Sequence, residues 1–180
     1  MRFVTGWVLA LAGTALLGAC SSSSETPRQA PCPRITLLRE GADLTVFREG
    51  AGQDLSVMEY DARLTGFDAR CDYTNRRRDI AVEIVPRFEV ERGPVGRGSS
   101  ADLHWFVAVS DAQDTRVIDR AEYDTRAIFQ TNVSRGALAG ERVRLTVPNS
   151  DGRNAAEFNV RISFRLTPEQ LAYNRRRGPR

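Results

Sequence analysis

The chain has 180 residues, of which 41% are hydrophobic and 27% charged, a balance that excludes disorder along the whole length and suits one folded domain. Its formal net charge of +3 is too small to point to nucleic acid as a partner. All 26 basic residues are arginine, which a GC-rich genome explains more simply than selection for bidentate phosphate binding.

Met1, Arg2 and Phe3 carry one positive charge, and residues 4–17 are almost wholly apolar or small. That stretch is shorter than the roughly 20 apolar residues of a spanning helix and reads as a targeting signal. It ends in Leu17-Gly18-Ala19-Cys20, a leucine and two small residues before a cysteine, which resembles the lipobox of bacterial lipoproteins. The resemblance implies that residues 1–19 are a signal peptide, cut off before Cys20, and that the Cys20 sulfur carries a diacylglycerol. Its acyl chains anchor at ~0.8 kcal/mol per buried methylene. An ordinary signal peptide followed by a stray cysteine is the alternative. In such lipoproteins an aspartate after the cysteine favours the inner membrane. Ser21 stands there in this chain, so the implied address is the periplasmic face of the outer membrane.

From Cys20 to Pro33 the sequence is rich in serine and proline and forms no core, so it reads as a flexible tether. About 13 residues of it reach at most ~45 Å. With Cys20 acylated, Cys32 and Cys71 remain, and an even pair in an oxidising compartment reads as a disulfide. Two free buried thiols or a redox site are the competing readings. Neither cysteine lies in a Cys-X-X-Cys pattern, which disfavours the last.

Residues 34–167 read as a succession of short strands. Leu37, Leu38, Leu44, Val46 and Phe47 open it, broken at Gly41-Ala42-Asp43. Met58, Tyr60, Ala62 and Leu64 then alternate with polar neighbours, the period of a half-buried strand. At Thr65-Gly66 the phase slips by one and resumes at Phe67, Ala69, Cys71 and Tyr73, which predicts one long strand with a β-bulge. A hairpin turn at Gly66 is the alternative. After a polar turn at Asn75–Arg78, a second long strand carries Ile80, Val82, Ile84, Phe88 and Val90. Pro86 within it lacks a ladder donor and predicts a sheet edge or another bulge.

Gly93–Ser100 is a loop. Leu103, Trp105, Val107 and Val109 face one way and Phe106 and Ala108 the other, which predicts a central strand covered on both sides. Val117 and Ile118 open a strand ending near Tyr123, and Ala127, Phe129, Thr131 and Val133 alternate as another. Gly136 and Gly140 bound a loop before Val143, Leu145 and Val147. In the last strand Ala156, Phe158, Val160, Ile162, Phe164 and Leu166 face in, while Glu157, Asn159, Arg161, Ser163 and Arg165 face out. About eight strands without helical periodicity predict an all-β fold, an antiparallel β-sandwich of immunoglobulin or fibronectin type. A small closed β-barrel is the alternative. Residues 168–180 predict a short helix and a basic, disordered tail: Thr167 and Gln170 form a capping box around Pro168, and Arg175, Arg176, Arg177 and Arg180 follow.

His104 is the only histidine and lies within a strand, with no Gly-X-Ser-X-Gly elbow anywhere near it. No tetrahedral metal set can be assembled from it and two bonded cysteines. Asp68 and Asp72 share an outer strand face with Arg70, a solvated pattern rather than a calcium loop. Asn132-Val133-Ser134 matches a glycosylation acceptor by coincidence. The sequence thus predicts no catalytic residue, no metal, no cofactor and no small-molecule substrate. Arg175, Arg176, Arg177 and Arg180 are candidate contacts to an anionic surface, each worth on the order of 1 kcal/mol near lipid. Arg76–Arg78 are a weaker second cluster.

The ending from Leu166 to Arg175, Cys32-Pro33 after the tether, and Cys71-Asp72-Tyr73 together resemble a group of small alphaproteobacterial envelope lipoproteins. That resemblance implies a location and no activity. Three functions remain open. The first is a non-catalytic β-sandwich, anchored to the membrane by lipid, that binds or scaffolds an envelope protein. The second is a module binding cell wall or anionic lipid, and the third an enzyme whose site is invisible in sequence.

Overall fold

The computed structural model describes residues 29–149, 154–178 and Arg180. The expected signal peptide, Cys20 and the expected tether as far as residue 28 lie outside the described residues. Among these residues are nine strands: β1 (Arg34–Leu37), β2 (Asp43–Phe47), β3 (Met58–Thr74), β4 (Asp79–Arg92), β5 (Ser100–Asp111), β6 (Val117–Ile128), β7 (Arg135–Ala139), β8 (Val143–Pro148) and β9 (Phe158–Phe164). One helix follows, α1 (Pro168–Arg177).

The strands form two sheets and close no barrel, so the all-β sandwich is the fold. One sheet has the order β1-β9-β5-β6. The other runs β2-β3-β4, with β7 and β8 both paired to the far side of β4. The pairing is antiparallel except for β1, which runs parallel to β9. β2, β3 and β4 form a simple meander within one sheet.

The core lies between the sheets. Trp105, Phe88, Phe164, Leu103, Ile80, Ile84 and Ile162 are all buried there. The Phe88 ring meets Trp105 edge-on at 5.9 Å and Phe164 at 5.7 Å. The indole Nε1–H donates to Thr125 Oγ1 at 3.0 Å, which satisfies the one polar atom this tryptophan takes inside.

β3 is the single bent strand the phase slip predicts. Its register with β4 moves from Leu64↔Phe88 to Gly66↔Arg87, leaving Thr65 as the extra residue. Pro86 corrects the expectation of an edge or a bulge, because β4 is a central strand. β8 covers Asp79–Ile84 and β7 covers Arg87–Glu91. Pro86 sits at the seam between them, where its missing N–H costs no ladder bond and its carbonyl accepts from Gly140 N at 2.8 Å.

Three further expectations change. β6 runs unbroken from Val117 to Ile128, so no separate strand spans Phe129–Val133. The expected loop from Gly136 to Gly140 contains β7, a short edge strand of small residues. β9 is covered on both faces rather than one: Asn159 and Ser163 are buried. Asn159 Nδ2 donates to the carbonyls of Asp111 and Ala112, and Ser163 packs against Gly41. A Cβ at Gly41 would stand 1.9 Å from Ser163 Oγ, so a larger residue there must displace that hydroxyl. β5 is central as expected but is not covered on both sides: on its outer face Asp102 and His104 are exposed, and Phe106 is half-buried beneath the Arg120 guanidinium at 4.0 Å.

Candidate functional site

The disulfide joins Cys32 to Cys71, 39 residues apart, with Cα atoms 5.3 Å from each other. Cys71 is fully buried in the core. β2 pairs only with Met58–Arg63 of β3, which leaves the rest of that edge of β3 open. The segment leading to Cys32 closes part of it: Ala30 N donates to Cys71 O at 2.9 Å, and Gln29 bridges to Asp72 in the antiparallel sense. Covering an open edge in this way removes a template for aggregation. Cross-linking a loop of this length stabilises the fold by about 4 kcal/mol on the chain-entropy account.

Beyond Asp72 the β3–β4 hairpin turns through Asn75, Arg76 and Arg77, all in the left-handed region at φ 48°, 54° and 68°. Asparagine visits that region readily; the two arginines each cost on the order of 1 kcal/mol there. The turn is held from outside. Asn75 Nδ2 donates to Asp79 Oδ2 at 3.0 Å, Asn149 Nδ2 to Arg77 O at 2.9 Å, and Asn149 N to Arg78 O at 2.7 Å. Arg76, Arg77 and Arg78 are exposed, and none forms an ion pair with a described carboxylate. Among the described residues, Arg77 has the Tyr73 ring as a neighbour, 5.5 Å away.

The C-terminal arginines behave in the opposite way. The capping box forms as predicted, with Thr167 Oγ1 accepting from Gln170 N and Gln170 Oε1 accepting from Thr167 N. The helix then continues through Arg177, so Asn174–Arg177 of the expected disordered tail are a third turn of helix. Tyr173 meets Phe47 edge-on at 5.0 Å, and buried Asn174 donates to the carbonyls of Glu40 and Asp43. These contacts seat α1 on β2 and the turn before it. Arg175 then pairs with Glu40 at 2.8 Å, and Arg176 donates to Gln53. Arg177 lies 3.2 Å from Asp43 and 3.6 Å from Asp61, and Arg180 pairs with the same two carboxylates at 2.9 and 2.6 Å. Arg63 adds a further contact to Asp43 at 3.0 Å, and Thr45 donates its hydroxyl to Asp61 at 2.7 Å. Asp43 and Asp61 are nearly buried, so this charge network belongs to the docking of the helix. Sequence reasoning missed both aspartates. Their one signal is an acid on the outer face of an alternating strand, and the partner lies more than a hundred residues away.

His104 is half-exposed, and its Nδ1 contacts the Asp124 carboxylate across the β5–β6 pair. Two hydroxyls line the cleft of about 370 Å³ beside it, and both are engaged. Thr167 caps α1, and Tyr60 donates to Asp102 O at 2.9 Å. Burial, with Asp102 and Glu59 nearby, pushes the Tyr60 phenol up to about 12. Asp68 pairs with Arg87 at 2.6 Å and Asp72 with Arg70 at 2.8 Å, both on the outer strand face. Among the described residues no three His, Cys, Asp or Glu side chains cluster as metal ligands, and no helix is long and apolar enough to cross a membrane.

A more apolar cleft of about 470 Å³ lies between Leu38, Phe106, Leu166 and Leu171. Two of the three arginines that line it, Arg120 and Arg165, are both held by Glu122 at 2.8 and 3.0 Å. Among the described residues, β6 is an edge strand that pairs only with β5. It presents exposed Val117, Ile118 and Ile128 along a twelve-residue strand. Comparison with known proteins finds no family model, no curated protein and no solved structure that matches the chain.

Proposed function

We propose that the chain is a lipoprotein of the cell envelope. It is cut before Cys20, acylated on that sulfur and held at the periplasmic face of the outer membrane. Its β-sandwich binds or scaffolds another envelope protein rather than transforming a substrate. The placement rests on Leu17-Gly18-Ala19-Cys20, and pairing of the two remaining cysteines suits an oxidising compartment.

The observation that carries the binding reading is the free edge of β6. Twelve residues of backbone there face no further described strand, and apolar side chains stand exposed at both ends. Such an edge accepts an extended segment as an added strand, with main-chain hydrogen bonds supplying affinity. The charges between, from Asp119 to Arg126, discourage indiscriminate pairing.

Metabolic labelling with palmitate tests the anchor. Label on the wild-type chain, lost in Cys20→Ser together with a shift from the membrane pellet to the soluble fraction, supports it. Label that survives the substitution, or that never appears, refutes it. A photo-crosslinking residue placed at Ile128 tests the edge in whole cells. One adduct of defined mass, absent when the crosslinker stands at Arg70, supports binding through β6. Equal, diffuse adducts from both positions refute it.

A further inference from the structure

The direction in which the chain joins the domain singles out one of its ends. Gln29 pairs antiparallel with Asp72, and Ala30 with Cys71. Going backward along the chain from Ala30 to Gln29 therefore moves toward the β3–β4 turn. That turn begins just past Thr74, where β3 ends, roughly 10 Å beyond Asp72 at the rise of a strand. The nine steps from Cys20 to Gln29 span at most about 30 Å. A leash that short, leaving from that end, holds the turn close to whatever Cys20 is fixed in.

What stands there is, among the described residues, the one cluster of consecutive arginines that the fold leaves unneutralised. Of the described carboxylates that flank the turn in sequence, Asp72 is paired with Arg70 through two contacts, and Asp79 accepts from the Asn75 side chain and forms no ion pair with the three arginines. Arg175, Arg177 and Arg180 have acids of their own, as described above. Arg76, Arg77 and Arg78 are all exposed at this tip, with the Arg77 guanidinium over the Tyr73 ring at 5.5 Å.

We infer that the Arg76–Arg78 turn is the membrane-facing end of the domain and contacts anionic lipid head groups. This rests on the acyl anchor proposed above. It moves the anionic contact from the C-terminal helix, where the sequence suggested it, to the hairpin tip. Seated so, the domain points its tip at the bilayer, and the anchor and the arginines attach it at one end.

Flotation of the mature chain carrying Cys20→Ser with phosphatidylglycerol-rich vesicles tests this without any help from acyl chains. Each arginine at an anionic surface is worth about fivefold in partition, so Arg76→Asn/Arg77→Asn/Arg78→Gln should bind on the order of 100-fold more weakly. Asparagine suits the left-handed positions, and Arg78→Gln alone, outside them, should weaken binding about fivefold. Arg175→Gln should bind like the parent, and phosphatidylcholine vesicles should bind neither. Equal partition of parent and triple variant, equal binding to neutral vesicles, or retention on isolated sacculi alone would each overturn the inference. Palmitate labelling of the chain with Cys20 intact reads the anchor separately. Label without arginine-dependent flotation sinks this inference alone, and arginine-dependent flotation without label sinks the anchor alone.

Discussion

Replacing Asp61 with alanine removes the carboxylate on which the C-terminal helix converges. Its side chain is 12% exposed and accepts from Thr45 Oγ1 at 2.7 Å and Arg180 Nη2 at 2.6 Å, with Arg177 Nη1 3.6 Å away. A hydrogen bond to a charged group contributes about 1.5–3 kcal/mol, and breaking a buried pair costs about 3–5 kcal/mol. Arg180 is a third exposed and can turn to water, which reduces the loss. The expected cost is about 3 kcal/mol, or a Tm lowered by about 6–12 °C for a domain of this size. Thermal unfolding followed by circular dichroism, with urea titration as a second measure, reads it directly. Arg177→Met should be milder, under about 1 kcal/mol. Its Nε and Nη2 find no aligned acceptor although Nη2 lies 3.2 Å from Asp43, and methionine keeps the apolar stem beside Tyr173. The double variant Asp61→Ala/Arg177→Ala should depart from additivity by about 1 kcal/mol. Additive losses, or a cost below about 1 kcal/mol for Asp61→Ala alone, would refute the network.

The other expectations are simpler to state. Reduction of the disulfide, or Cys32→Ala/Cys71→Ala, should lower stability by about 4 kcal/mol in urea unfolding, since the two cysteines it joins are 39 positions apart in the chain. Gly93→Ala should cost about 3 kcal/mol in the same assay, because a Cβ there would lie 2.1 Å from the Met58 carbonyl oxygen and the backbone must move. Asp114 is held down to about 2 by hydrogen bonds from Arg161 and then from Ser110. A carboxylate with a depressed folded pKa stabilises above its unfolded value and loses that contribution as pH falls through the folded one. The Tm gap between wild type and Asp114→Asn should therefore close between about pH 4 and pH 2 and stay constant above. Asp114 is 44% exposed, so the gap at neutral pH should be small.

The sandwich and its longest strand were legible because period-2 alternation is a local property. At Thr65-Gly66 the inward set of residues changes parity, and only an inserted residue reconciles the two halves of β3. The helix start was equally plain, since Thr167, Pro168 and Gln170 act on neighbours within one turn. β7 was hidden because Gly136, Ala137 and Ala139 bury little and the strand is held by the main chain of β4. Pro86 reads as an edge until β7 and β8 are seen to divide one side of β4 between them, which no local pattern announces. The candidate basic contact went astray for the same reason. Arg175 and Arg177 read as free charge in a terminal run, and Glu40, Asp43 and Asp61 meet them only after the fold is complete. Arg76–Arg78 gain their interest from where Gln29 attaches, a fact of register rather than composition.

The cross-link at Cys71 also decides how a mechanical load travels. A pull on the N-terminal segment reaches Cys32 and passes covalently into β3, bypassing the four-residue β1 that follows. β3 is knitted to β4 over fourteen residue pairs, so extension must slide a whole ladder at once instead of peeling it rung by rung. A domain tugged by its leash would thus keep its shape at forces that strip a short terminal strand, and a reductant would turn that resistance off.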